Sequence, residues 1–338
     1  MKAMILAGGL STRLYPLTKL VPKPLVPVAG VPNAAHLLRF LKVYGFDEIA
    51  INVHYLADDI VATLGDGSQF GVKLHYSYEP ELLGSAGGVK KIESFFDDEP
   101  FLVIGCDEVT DMRLDRVLEF HREHKAIATI GLVECDEVDQ YGVVVLDGDG
   151  KIVGFQEKPA KGTERSRLAN TGVYVFSPEI FRHIPSGQFY DFGNQVFPSL
   201  QAAGERFYGF GADGAYWADI GTPKEYRRAS YDVIRGVVRI PATSPNGIDP
   251  SARLGDGVRI SGTVRVGPDV NVGDGVCIEG PCILDEGVRV ETGARLERSI
   301  VWRAAKVGAR AELRDTIVGT RYAVAPETVL ENALVADG

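Results

Sequence analysis

A glycine pair followed by two well-separated cations is the first arrangement in this chain with chemical consequence. Ala7-Gly8-Gly9-Leu10-Ser11-Thr12-Arg13 leads on to Val21-Pro22-Lys23-Pro24. Paired glycines let the backbone approach a ligand closely, because no Cβ stands in the way. Successive N–H groups there can line a concavity of phosphate size. Arg13 offers a planar fork to phosphate oxygens, and Lys23 offers a compact point charge. This pattern suits the binding and neutralising of a polyphosphate. It is not the Walker loop, which closes on Gly-Lys-Ser/Thr, nor the G-x-G-x-x-G dinucleotide spacing. A plain glycine turn with incidental surface cations is the alternative that the loop alone leaves open.

Such a loop needs rigid elements behind it. Residues 1–235 alternate strand-like and helix-like segments. Ala3–Ala7, Ile49–Val53, Lys73–Ser77, Phe101–Ile104 and Ala128–Leu132 read as strands. Asn33–Tyr44 and the stretches near Asp58–Leu64, Val89–Phe96 and Leu114–His124 read as helices. The alternation predicts an α/β domain with a Rossmann-like, mostly parallel sheet covered on both faces. Ligands of such sheets bind at the carboxyl ends of the strands, where the Gly8-Gly9 loop falls.

From Ile248 the period changes to six. Ile248, Leu254, Ile260, Val266, Val272, Ile278, Leu284, Val290 and Leu296 recur without a slip. A second small or aliphatic residue follows each by four, from Ala252 to Ile300. Hexads of this kind predict a parallel β-helix, whose aliphatic positions stack inward. Aliphatic residues from Val307 to Val335 continue it with imperfect hexads. The expected division is therefore a first domain over 1–235, a linker over 236–247 containing Pro241 and Pro245, and a hexapeptide-repeat domain over 248–338.

The loop resembles the signature of the sugar-1-phosphate nucleotidyltransferases, G-G-x-x-T-R-L-x-P-L-T followed by P-K-P. The resemblance continues in family order along the chain. Leu83-Gly84-Ser85-Ala86-Gly87 is similar to the base-binding segment, and Asp107 to the first metal ligand. Tyr141-Gly142-Val143, Glu157-Lys158-Pro159 and Asn170-Thr171-Gly172 are similar to the sugar-phosphate segments. Trp217-Ala218-Asp219-Ile220-Gly221-Thr222-Pro223 is similar to the second metal segment. Many members also carry a C-terminal left-handed β-helix. Two departures stand out: Ser11 where the family usually has Gly, and Cys106 directly before Asp107 where a Gly is common.

The resemblance implies attack of a sugar-1-phosphate oxygen on the α-phosphorus of a nucleoside triphosphate, with pyrophosphate leaving in line. A phosphate monoester is mostly dianionic at neutral pH, its second pKa being about 6, so the nucleophile needs no His to activate it. The requirement is positioning and charge neutralisation. By this resemblance Arg13 holds the β- and γ-phosphates and Lys23 the α-phosphate. Asp107 and Asp219 hold Mg²⁺, a hard cation suited to carboxylate, phosphate and water oxygens. The base lies on the Leu6-Ala7-Gly8-Gly9 backbone and against Gly84-Ser85. Lys158 grips the sugar phosphate, Glu157 and Asn170 bond sugar hydroxyls, and Gly142 and Thr171 complete that side. Read singly, Asp107 and Asp219 could instead cap helices, Lys158 could be a surface lysine, and Asn170 a turn residue.

Leu-Gly-Ser-Ala-Gly is most similar to the Leu-Gly-Thr-Ala-Gly of mannose-1-phosphate guanylyltransferases, which favours GTP and mannose 1-phosphate. Thr12–Lys19 and Val26–Gly30 are closer to glucose-1-phosphate adenylyltransferases, and uridylyl, thymidylyl or cyclitol-phosphate relatives stay open. A net charge of −10 with no basic stripe argues against a nucleic-acid partner. No stretch approaches the ~20 apolar residues of a membrane helix. The four cysteines form no CxxC pair and the N-terminus has no signal-peptide run, so a cytoplasmic setting is expected. Hexapeptide helices in acyltransferases typically supply a His base, but all six histidines precede Ile248. The β-helix is thus expected to serve assembly and stability, with homo-oligomers forming through it. A non-catalytic sensor of sugar nucleotides is the rival of another class, and intact Arg13, Lys23, Asp107 and Asp219 speak against it.

Overall fold

Lys2–Leu6 forms a strand with parallel neighbours on both sides, Glu48–Val53 and Phe101–Gly105. A central parallel strand must be apolar on both faces, and Ala3, Met4 and Ile5 are fully buried. The computed structural model that shows this describes residues 1–241 and 246–337. Among the described residues the sheet has nine strands. Its order runs Ile152–Glu157, Gly142–Leu146, Leu168–Phe176, Phe101–Gly105, Lys2–Leu6, Glu48–Val53, Lys73–Tyr78. Ala128–Glu134 pairs with Leu168–Phe176, and Phe207–Gly211 with Ala128–Glu134. Leu168–Phe176 is antiparallel to Phe101–Gly105, so the parallel part holds the first strands and the later hairpins extend it.

The expected strands and helices of this region are present within two residues of their predicted ends, with one exception. The helix anticipated over Val89–Phe96 instead starts earlier, as Gly84–Lys91, and yields to a 3₁₀ turn at Glu93–Phe95. Gly84, Gly87 and Gly88 are poor helix formers, so local propensity points to a loop. Packing overrides it, because Ala86, Gly87, Gly88 and Val89 are all buried. Met1–Gly9 and Leu37–Trp217 make up this unit. Among the described residues, no helix is long and apolar enough to cross a membrane.

The second unit comprises Leu10–His36 and Ala218–Gly338. Its core is a left-handed parallel β-helix with three faces, which among the described residues hold six, five and five strands. The hexad residues stack one coil apart: Ile248 on Val266 and Val266 on Leu284, Leu254 on Val272, Ile260 on Ile278. Three hexads therefore close one coil. Beyond Leu284 the coils drop one residue each, with Leu284 on Val301, Val301 on Val318 and Val318 on Val335. This is the origin of the imperfect hexads. Val270, Val276, Cys282, Val288 and Ala294 are fully buried inside, whereas Ile248 and Leu254 in the first coil are 48% and 41% exposed.

This packing groups Leu10–His36 and the helix Pro223–Arg235 with the β-helix. The sequence pattern, by contrast, suggests a cut at 235. Residues 242–245 of the expected linker, Pro245 included, lie outside the described residues.

Candidate active site

In the first unit the carboxyl ends of three adjacent parallel strands release Gly8-Gly9, Asn52 and Glu79. Leu6, Gly8, Gly9, Asn52, Glu79 and Leu82 line a cleft of ≈ 240 Å³ with Gly84, Ser85 and Phe189. The cleft floor is a built polar network. Asn52 Oδ1 accepts from the Ala7 N–H at 2.8 Å, and its Nδ2 donates to Glu79 Oε1 at 2.9 Å. Glu79 is 3% exposed, and its second oxygen accepts from the Leu83 N–H at 3.2 Å. A Cβ on Gly8 would lie 3.0 Å from Asn52 Nδ2 and 3.3 Å from Leu82. That tightness explains the glycine.

The Gly84-Ser85 wall is tied to the loop before Phe192. Gly84 has a φ of +73°, and a Cβ there would sit 2.5 Å from the Tyr190 carbonyl oxygen. Ala86 and Gly87 both donate their N–H to that carbonyl. Ser85 Oγ donates to Asp191 Oδ2 at 2.8 Å and accepts from the Phe192 N–H at 2.9 Å. Phe189, 60% exposed, stands at the cleft edge as an aromatic surface.

The predicted sugar-phosphate segments meet on neighbouring strands. Glu157 pairs in register with Gly142. A Cβ on Gly142 would come within 3.2 Å of Glu157 Oε2, and one on Gly193 would clash with the same oxygen. Two glycines thus clear room for this carboxylate. Burial pushes its pKa above the usual carboxylate range, while Lys158 pulls it down and Asp191 adds to the rise. Lys158 is exposed and holds a left-handed φ of 43°. Non-glycine residues held there store strain of a kind common at functional sites. Asn170, Thr171 and Gly172 form a bulge where the strand loses register against Ala128–Glu134. Asn170 Oδ1 accepts from the Gly172 N–H, and its Nδ2 donates to Tyr174 Oη. Thr171 is fully buried and donates its hydroxyl to the Gly131 carbonyl at 2.7 Å, so it shapes the bulge from beneath.

Asp107 is the second residue after the strand Phe101–Gly105; a Cβ on Gly105 would be 3.0 Å from Asp107 Oδ1. Cys106 points inward, 1% exposed, with its N–H bonded to the Leu6 carbonyl at 3.0 Å. Beside Asp107, Glu108 is buried and accepts from Trp217 Nε1 at 2.6 Å. Helix Leu114–Glu123 has Arg113 as its N-cap, so capping is not the task of Asp107.

The second unit carries Arg13, Lys23 and Asp219. Ser11 adopts φ 50°, ψ 42°, the left-handed conformation that makes glycine usual at this place. Its carbonyl accepts from Thr18 Oγ1 at 2.8 Å and from the Leu14 N–H at 3.1 Å, closing the turn on which Arg13 is exposed. Arg13 Nη2 stands 3.6 Å from Asp219 Oδ2. Asp219 Oδ1 accepts from the Gly221 N–H at 2.6 Å. The cap of helix Pro223–Arg235 is Thr222, whose Oγ1 accepts from the Glu225 N–H. Lys23, half-buried, opens the 3₁₀ turn Lys23–Leu25.

The carboxylate donors suit Mg²⁺, which binds through one or two carboxylates and keeps water and phosphate oxygens as its other ligands. Among the described residues, no group of three or more His, Cys, Asp or Glu side chains could hold a metal ion. Sequence reasoning missed Asn52, Glu79, Phe189 and Asp191. Asn52 left one signal, a polar residue inside the apolar run Ile49-Ala50-Ile51-Asn52-Val53.

The pattern of the nucleotidyl transferase family matches residues 2–236, and that of the GMPPB C-terminal domain matches 242–337. A UTP–glucose-1-phosphate uridylyltransferase of Synechocystis sp. is 40% identical, covering 96% of this chain and 88% of that protein. A mannose-1-phosphate guanylyltransferase of Mycobacterium tuberculosis is 34% identical over 88% of this chain and 83% of its own length. A Bacillus anthracis crystal structure described as a glucose-1-phosphate thymidylyltransferase superposes with a TM-score of 0.62 at 28% identity, covering 68% of this chain and 94% of that one. Cleft, glycine loop and relatives agree: this chain belongs to the nucleotidyl transferase family and is a sugar-1-phosphate nucleotidyltransferase.

Proposed function

We propose that the enzyme transfers a uridylyl group from UTP to glucose 1-phosphate, releasing pyrophosphate and forming the nucleotide sugar. The 40% identity to the Synechocystis uridylyltransferase, across nearly all of both chains, carries this choice. Guanylyl transfer from GTP to mannose 1-phosphate is the second reading. It is favoured by the GMPPB-type C-terminal match and by the guanylyltransferases at 33–34% identity.

In either case the base enters the cleft of Leu6, Ala7, Gly8, Gly9, Gly84 and Ser85, with Glu79 and Asn52 beneath it. Glu157, Lys158 and Asn170, shaped by Gly142 and Thr171, receive the sugar phosphate. Its dianionic oxygen forms the new bond to the α-phosphorus as the bond to pyrophosphate breaks. Arg13 and Lys23 neutralise the charge that builds on the leaving and α-phosphate oxygens. Asp107 and Asp219 are the residues that would hold Mg²⁺, and the ion would supply charge screening at the phosphates. We assign this chemistry to residues 1–235, with 236–247 as linker and 248–338 as the module for self-association. The exposed first-coil Ile248 and Leu254 support a homo-oligomer through the β-helix, and a cytoplasmic setting fits the substrates. The test is a matrix of nucleoside triphosphates against sugar 1-phosphates, read by pyrophosphate release. UTP with glucose 1-phosphate is expected to give the highest kcat/KM. A GTP–mannose 1-phosphate maximum transfers the assignment to the second reading.

A further inference from the structure

The β-helix holds more than itself. Trp302, fully buried in a coil, donates Nε1–H to Tyr226 Oη at 2.8 Å. Tyr226, also fully buried, donates its own hydroxyl to the Pro27 carbonyl at 2.7 Å. The two rings meet edge to face at 6.0 Å. Pro27 opens a two-stranded hairpin, Pro27–Val28 with Val31–Pro32, whose tip residues Ala29 and Gly30 both have positive φ. The tip seats against the coils: a Cβ on Gly30 would lie 2.8 Å from Asp285 Oδ1 and 3.1 Å from Arg265 Nε. The Val28 carbonyl is within 2.9 Å of His36 Nε2. The hairpin is therefore fixed at its base and at its tip.

Lys23 is directly coupled to it, because the Val26 N–H donates to the Lys23 carbonyl, and the Asn33 N–H returns to the Val26 carbonyl. Tyr226 also lies on the helix Pro223–Arg235, which begins just after the Asp219 turn that faces Arg13. That helix is docked on the coils by Tyr231 Oη to the Arg298 carbonyl and by Arg227 to the Asp315 carbonyl and Asn332 Oδ1.

We propose that Trp302 and Tyr226 are positioning residues for the polyphosphate end of the reaction, through which the β-helix sets the place of the Lys23 turn and of the Asp219 turn beside Arg13. The β-helix is then part of the catalytic apparatus as well as an assembly module. This inference rests on the reading of Arg13 and Lys23 as polyphosphate cations.

The test uses the full-length protein with Tyr226→Phe, Trp302→Phe and, as control, Lys23→Ala. Initial rates are measured against each substrate well below the melting temperature. Tyr226→Phe severs both bonds and is expected to lower kcat/KM for the nucleoside triphosphate ~10-fold or more, the scale of a small misplacement of catalytic groups. KM for the sugar 1-phosphate should stay unchanged. Trp302→Phe leaves the bond to Pro27 and should show the same split more weakly. Wild-type constants in whichever of these two variants folds, or a KM for the sugar 1-phosphate raised as much as that for the nucleoside triphosphate, overturn the inference. A slow Lys23→Ala beside a fully active Tyr226→Phe removes the positioning role alone. A Lys23→Ala that turns over normally removes the polyphosphate reading and this inference with it.

Discussion

Asp219→Asn separates chemistry from stability. The amide keeps an Oδ1 that can accept from the Gly221 N–H, so the 2.6 Å bond closing the turn survives. What is lost is one negative charge, 3.6 Å from Arg13 Nη2. At that distance the pair is worth between ~1 kcal/mol at the dielectric of water and ~5 kcal/mol at an effective dielectric of 20. The Arg13 side chain is 51% exposed, so the lower limit governs, as for other surface ion pairs. A loss of at most ~1 kcal/mol shifts the melting temperature by only about 2–4 °C in a chain of this size class. A group that stabilises charge at the reacting phosphates is worth far more, ~10²–10³ in rate. Turnover should therefore collapse in a protein that melts almost as the parent does. The assay is pyrophosphate release over a Mg²⁺ titration, paired with a thermal melt of the same sample. We expect kcat to fall ~10²-fold or more, with the Mg²⁺ dependence moved to higher concentration. Parental turnover with an unmoved Mg²⁺ curve would falsify the metal role of Asp219.

Lys158→Gly should move stability and function in opposite directions. Its left-handed φ costs ~1–2 kcal/mol, and glycine returns ~0.5–1 kcal/mol of that as chain entropy, so the variant should melt at or slightly above the parent temperature. Its KM for the sugar 1-phosphate should rise ~10-fold or more, and an unchanged KM would exclude Lys158 from that site. Two buried groups give stability profiles of opposite sign. Burial, with Arg122 adding to the effect, lowers the His121 pKa to about 4 from 6.5. Below 6.5 the unfolded chain takes up a proton that the folded chain refuses, so stability falls as pH drops from 6.5 to 4, by up to ~3 kcal/mol. Burial raises the Asp285 pKa to about 7, opposed by Arg265. The unfolded carboxyl ionises first there, so stability falls as pH rises from about 4 to 7. Urea denaturation across this range should show His121→Gln removing the acid-side loss and Asp285→Asn removing the neutral-side loss; parallel profiles for parent and variants would contradict both assignments.

Much of this protein was decided by short-range pattern. The six-residue period from Ile248 to Leu296 dictates three faces and an inward aliphatic stack, because a side chain's burial depends only on its place within the coil. The glycine loop after the first strand was equally legible, and Ser11 shows why: the left-handed backbone of that turn is a local steric fact, whichever residue occupies it. The pattern places the helix Gly84–Lys91 too late, because its glycines argue against a helix until burial is counted. Asn52, Glu79 and Asp191 carry no motif of their own. Their roles exist only because parallel pairing sets the ends of Lys2–Leu6, Glu48–Val53 and Lys73–Tyr78 side by side, and because Ser85 reaches Asp191 across more than a hundred residues. The same is true of Trp302 and Tyr226. No spacing rule links a tryptophan in a coil to the carbonyl of Pro27. A buried N–H and a buried hydroxyl each require a partner, and only tertiary packing chose which backbone group would provide it.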